Sequence, residues 1–449
     1  MTRCRRKMDA QRLIDWESLH RNLREADPYS LTGRVQEMVG LVISSRGPQS
    51  AVGGVCRVEL PPPRRPILAE VVGFRSREVL LMPYGEVHGI RPQSRVVLTD
   101  RQAAVPVGDG LLGRVIDGLG KPLDGKGPIA CQTHYPLYST PLNPCERKSI
   151  AQPVDVGIRA INGLLTLGKG QRIGIFAGSG VGKSTLMGMI ARHTKSDISV
   201  IGLIGERGRE VKDFIEKDLG PEGLARSCVV AATSDSPPLV RLRGAYLATA
   251  IAEYFRDQGH DVILMLDSIT RFSMAGREIG LAIGEPPTAR GYTPSVFSQL
   301  PRLLERAGTC GGKGSITGIY TVLVEGDDML EPIADAVRAI LDGHIVLSRD
   351  LADRGHYPSI DVLGSISRLM PHVSDPEHMN NREKLVKVAA SYRKAEDLIN
   401  INAYVKGSNP DIDYALEKND AVTRYLRQAV AEPVSLAQAQ AELAAIFAS

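Results

Sequence analysis

The spacing of apolar positions changes character along the chain, and each change predicts a different kind of element. Over residues 8–26, Leu13, Trp16, Leu19 and Leu23 recur at helical spacing, and Asp27-Pro28 ends the pattern. One apolar stripe on an otherwise charged helix packs on its own domain, or docks a partner helix or an anionic membrane surface. From about residue 30 to 100, short β-rich runs at 39–43, 55–58, 67–72 and 79–82 are punctuated by Gly and Pro. That rhythm predicts a small barrel. Between about 101 and 370 the runs 171–176, 198–204, 228–232, 262–266, 316–324 and 345–347 are continuous and apolar, with helical stretches such as 239–255 between them. Unbroken apolar strands imply a parallel sheet covered on both faces. Beyond Pro371 the pattern is helical, with Gly407 and Pro410 as breaks and an alanine-rich helix from Ser435. Four regions follow: 1–27, a helical docking segment; 28–98, a barrel; 99–372, an α/β domain; and 373–449, a helical domain.

A chain of 449 residues is long enough for these parts. With aromatics at 5%, the core must be built from Val, Ile, Leu and Ala. The barrel strands lack the aromatic side chains on which nucleic-acid bases stack, and a net charge of +4 predicts no nucleic-acid partner. There is no apolar run of about 18 residues to span a bilayer. The basic start, Met1 to Lys7, has no apolar stretch behind it and does not read as a secretory signal. Six widely spaced cysteines with no Cys-x-x-Cys read as reduced thiols, which fits the cytoplasm.

The chemistry begins at Ile173-Gly174-Ile175-Phe176-Ala177-Gly178-Ser179-Gly180-Val181-Gly182-Lys183-Ser184-Thr185, which reads as strand, glycine-rich loop and helix start. Its backbone N–H groups and helix dipole form an anion nest. Residues Gly178 to Thr185 would cradle a triphosphate, Lys183 reaching the β- and γ-phosphates and Ser184 ligating Mg²⁺. The strict pattern asks for glycine where Ala177 stands, and alanine is small enough to replace it. A second strand, beside the phosphate loop, ends in Gly205-Glu206-Arg207. Glu206 there can orient and deprotonate an attacking water, or it is a solvated surface carboxylate. The strand 262–266 delivers Asp267 at its end, suited to the Mg²⁺ shell. Arg271 would reach the phosphates or Glu206, or make a surface salt bridge. A proline-held Tyr357 can stack on adenine and Arg368 can act as an arginine finger, though ordinary packing and surface roles fit both equally well.

These residues resemble a family. Gly178 to Ser184, Gly205-Glu206-Arg207-Gly208-Arg209-Glu210, Asp267-Ser268-Ile269-Thr270-Arg271-Phe272, His356-Tyr357-Pro358 and Ser367-Arg368 are similar to the rotary and protein-export ATPases built like the α and β subunits of ATP synthase. Within that superfamily, the stretches 284–297, 324–328 and 340–349 look like the type III export ATPases of the bacterial flagellum. The resemblance implies an α/β fold: a RecA-like P-loop ATPase core with an N-terminal β-barrel and a C-terminal helical domain. It implies an ATP hydrolase using ATP and Mg²⁺, with Glu206 as catalytic carboxylate and Arg207 as a helper. Asp267 becomes the Mg²⁺-shell residue, Tyr357 the adenine-stacking tyrosine and Arg368 a finger acting across a subunit interface. Glu285-Pro286-Pro287 onward would face the central channel of a ring.

The partners implied are further copies in a homohexamer and a stator-like regulatory protein at the N-terminal helix. An export gate, a stalk protein and substrate–chaperone complexes complete the set. The place implied is the cytoplasm, peripheral at the inner face of the cytoplasmic membrane. A virulence-type injectisome ATPase would share this mechanism. An ATP synthase catalytic subunit is disfavoured by the channel loop, an RNA translocase by the missing aromatic stripe, and a non-hydrolysing subunit by Glu206.

Overall fold

The structure is a computed structural model that describes Trp16 and residues 30–100, 103–324, 326 and 328–448. The helix expected over 8–26 therefore lies, apart from Trp16, outside the described residues, as do Glu325 and Asp327. The chain forms two compact units, 1–102 and 103–449.

In the first unit six strands close into an antiparallel barrel: β1 (Thr32–Val39), β2 (Val42–Arg46), β3 (Val55–Val58), β4 (Ile67–Arg75), β5 (Glu78–Pro83) and β6 (Arg95–Asp100), in the order β1-β2-β5-β4-β3-β6. Val35, Ile43, Cys56, Val71, Leu81 and Val96 fill its interior from alternate positions. The run 39–43, expected as one strand, is a hairpin tip. Val39 pairs with Val42 across it, and Gly40 takes the turn at φ +57°. Two of the six strands escape the apolar pattern because β1 buries little besides Val35 and β6 has only three consecutive apolar residues.

The second unit is built on β7 (Arg114–Asp117), β8 (Arg172–Ala177), β9 (Ile198–Ile204), β10 (Ser227–Ala232), β11 (Asp261–Asp267), β12 (Ser315–Leu323), β13 (Gly343–Leu347) and β14 (Ile360–Ser367). They lie in the order β14-β13-β8-β12-β11-β9-β10-β7, parallel throughout except for the β13–β14 pair. Every residue of β9 and β10 is buried, as expected for strands covered on both faces. The edge strand β14 alternates in burial, β7 buries only its two central residues, and both carry polar residues, so no continuous apolar run marks them.

Helix α1 (Lys183–His193) follows the glycine loop, α2 (Pro238–Asp257) crosses the middle of the sheet and α3 (Ile269–Ala282) follows β11. A side chain on Gly202 of β9 would meet Leu266 at 2.6 Å and Ala248 of α2 at 3.2 Å, so α2 packs as close as glycine permits. The chain ends in α4 (Pro376–Asn400), α5 (Pro410–Leu426) and α6 (Leu436–Phe447), capped by Asp375, Asn409 and Ser435. Buried Arg159 joins this bundle to the core, donating to the Arg427 carbonyl at 2.7 Å and to Glu432 at 2.6 Å and forming an ion pair with Glu442 at 2.7 Å. No helix among the described residues is long and apolar enough to cross a membrane.

Candidate active site

Because β8, β9, β11 and β12 run parallel, their carboxyl ends open on one side, where an α/β sheet presents its ligands. The loop after β8 turns through Gly180 (φ +79°) and Gly182 (φ +90°), left-handed conformations that glycine adopts without strain. Gly182 is the N-cap of α1, so the free N–H groups of the first turn face the loop. Ala177, where the strict pattern has glycine, ends β8 and is fully buried without distortion.

Lys183 bridges two carboxylates. Its ammonium makes a very short contact to Asp267 and lies 3.4 Å from Glu206. The Thr321 hydroxyl donates to the same Asp267 oxygen at 2.6 Å. Burial works to lower the Lys183 pKa, but Asp267 and Glu206 outweigh it and hold it above the ordinary lysine value. Glu206 is pushed up to about 7. Burial is the main cause; Asp267 and a hydrogen bond with Glu210 add to it and Lys183 opposes it. A carboxylate poised near neutrality suits a general base.

The Glu206 strand is not adjacent to the phosphate-loop strand, contrary to the sequence expectation: β12 and β11 lie between β9 and β8. Glu206 nevertheless reaches Lys183. Its backbone is pinned by Gly205 N–H donating to Ala232 (2.7 Å) and Ser234 N–H donating to the Glu206 carbonyl (3.0 Å).

The cavity above these ends has a volume near 700 Å³, with Gly178, Ser179, Gly180, Ser184 and Thr185 in its wall. Val181 faces inward, fully buried. Arg271 also lines the cavity, its stem packed on Gly205 and its Nε buried without a hydrogen-bond partner. Such an unpaired guanidinium nitrogen is costly unless an anion meets it. Arg207 sits at the mouth, largely exposed and 3.2 Å from Glu210.

Two residues stand apart. Tyr357 does not line the cavity; its ring lies against the outside of the loop, 3.4 Å from where a Gly182 side chain would begin, and it is half exposed. Arg368 follows β14, donates to the Leu341 carbonyl at 3.3 Å and is absent from the cavity wall. Sequence reasoning missed Thr321, Glu210, Arg277, Arg290 and Arg349, the last four in the cavity wall. β12 also buries Ser315, Thr317 and Tyr320, so no signal in the strand singled out Thr321; the arginines come from separate loops and helices that only the fold brings together.

Models of known families cover most of the chain. Residues 157–367 match the ATP synthase alpha/beta family nucleotide-binding domain and 35–100 its beta-barrel domain. Residues 374–445 match the T3SS EscN ATPase C-terminal domain. The chain is similar to the flagellum-specific ATP synthase of Bacillus subtilis, 52% identical over 98% of this chain and 99% of that one. It is equally similar, at 52%, to the type 3 secretion system ATPase of Xanthomonas euvesicatoria, over 88% and 89%. The assembled ATPase EscN of enteropathogenic E. coli superposes with a TM-score of 0.88 at 44% identity, covering 93% of this chain and all of that one. EscN in complex with its central stalk EscO gives 0.85 at 44% identity, with the same coverage. A β-barrel domain, an α/β nucleotide-binding domain and a C-terminal helical domain, in that order along the chain, are the parts these matches cover. The chain belongs to the ATP synthase alpha/beta family, among its flagellar and type III secretion ATPases, and is an ATP hydrolase.

Proposed function

We propose that the chain acts as a homohexameric ring whose nucleotide sites are shared between neighbours, and that hydrolysis energises unfolding, chaperone release and export of flagellar proteins. The observation that carries this reading is the convergence of Lys183, Asp267 and Glu206 at one sheet edge while Arg368 stays outside the cavity. A finger that its own chain cannot use fits a site completed by the next subunit.

Gly178 to Thr185 hold the phosphates and Lys183 engages the β- and γ-oxygens. The donors present would suit Mg²⁺: the Ser184 hydroxyl and the Asp267 carboxylate are hard oxygens that would hold it together with phosphate and water. When bound it neutralises charge on the phosphates. Glu206 accepts the proton of a water whose oxygen bonds the γ-phosphorus as the bond to ADP breaks. Arg271 meets the developing charge, with Arg207 helping at the mouth and Tyr357 stacking on the base. Metal-ligand roles rest on Ser184 and Asp267 alone.

The stalk complex of EscN supports a stalk partner here. An export gate, substrate–chaperone complexes and a stator-like protein at the N-terminal helix complete the assignment, at the inner face of the cytoplasmic membrane. Cells lacking the protein should stop exporting flagellar proteins, and the wild-type gene but not Glu206→Gln should restore export. Normal flagellar export with loss of injectisome secretion would replace this reading with the second one, which the Xanthomonas relative favours.

A further inference from the structure

The segment after the turn at Gly355 touches the phosphate loop twice. The Tyr357 ring lies against Gly182, and the Ser359 hydroxyl donates to the Val181 carbonyl at 2.6 Å. Its other side is held by Gln428, just past the end of α5, whose backbone N–H donates to the Tyr357 carbonyl at 3.0 Å. Gln428 is 6% exposed. Its Oε1 accepts from the Arg159 N–H at 2.7 Å, and its Nε2 donates to the carbonyls of Gly157 (2.8 Å) and Glu432 (2.6 Å). Gln428 thus joins three parts: its side-chain amide holds the start of the ATPase core to the C-terminal bundle, and its backbone N–H holds the Tyr357 carbonyl. A buried amide with its donors and acceptors paired is stiff, and removing it takes the partner from the Arg159 backbone N–H and the Glu432 carbonyl, while Gly157 keeps its bond from the Val434 N–H.

We propose that Gln428 is a positioning residue through which the C-terminal helices fix the Tyr357 ring beside the phosphate loop, making affinity for the nucleotide base depend on the placement of those helices. The proposal rests on the reading that Tyr357 stacks on adenine. It gives the C-terminal bundle a means of altering nucleotide binding without touching the phosphates.

The test uses the full-length protein and two ligands: ATP, and inorganic tripolyphosphate as a competitive inhibitor that carries no base. Tyr357→Ala should raise KM for ATP by about tenfold, as loss of an aromatic–base stack does. Gln428→Leu should raise it by about threefold or more while kcat stays within about a factor of two. The inhibition constant of tripolyphosphate should not move in either variant, and the double variant should be no worse than Tyr357→Ala alone. Gln428→Glu keeps the acceptor for Arg159 but loses both donors, and serves in the same role if the leucine variant does not fold. A raised KM in Tyr357→Ala with an unchanged KM in both Gln428 variants overturns the positioning role alone. An unchanged KM in Tyr357→Ala overturns the stacking reading and the proposal with it. Equal weakening of tripolyphosphate and ATP by a Gln428 variant means a general lesion, and also overturns it.

Discussion

The general-base role proposed for Glu206 rests on its surroundings rather than on its residue type. Burial and two neighbouring acids push it up to about 7, and Lys183 keeps it from going higher. In the proposed mechanism the base is the ionised form, so lowering the pH through 7 protonates it. On the acid side kcat/KM should fall about tenfold per pH unit with a midpoint near 7. An acid limb centred near the ordinary glutamate value would contradict this environment. Glu206→Gln should lower kcat by about 10²- to 10⁴-fold, the usual worth of a general base, while ATP still binds. Equilibrium binding and single-turnover hydrolysis separate the two. The phosphate loop, Glu206 and Asp267 were legible from the chain because each sits at the end of an apolar strand. The hydrogen bond from Thr321 to Asp267 and the link between Glu206 and Glu210 were not, since they depend on strand order and side-chain direction.

The elements that hold these residues follow from patterning where burial is complete and fail where it is not. β9, β10 and β12 could be read almost to the residue because both faces are covered, whereas β7 and β14, at the edges, show no such run. The order of strands was not legible, so the two strands between Glu206 and the phosphate loop came as a correction. Close packing of α2 on β9 depends on Gly202, where an added Cβ meets Leu266 at 2.6 Å. Gly202→Val should therefore destabilise the unit by about 1–3 kcal/mol through overpacking, measured as a lower urea midpoint with an unchanged slope. At Gly205 (φ +73°) an added Cβ meets that of Arg271 at 2.7 Å. Gly205→Ala should displace both Glu206 and Arg271, lowering kcat/KM by about tenfold or more, because small misplacements at a reacting centre are costly. Wild-type kinetics in that variant would show that the tight approach does not position them.

At the scale of the whole molecule, the proposed shared site has two halves that do not meet within one chain. Lys183 and Glu206 line one cavity, with buried Asp267 held against Lys183, and Arg368 lies outside its wall near Leu341. In a homohexamer each subunit offers its cavity to one neighbour and its arginine to the other. Arg368→Ala should cost on the order of 10³- to 10⁵-fold in rate, as arginine fingers do, and Lys183→Ala should be inactive for want of phosphate binding. The most direct measurement mixes these two inactive proteins. In randomly assembled rings about one interface in four combines an intact Lys183 with a neighbour's intact Arg368. ATPase activity should return to about that fraction of the wild-type rate per ring, and each variant alone should stay inactive. A mixture that remains as inactive as its components would contradict a site shared across subunits.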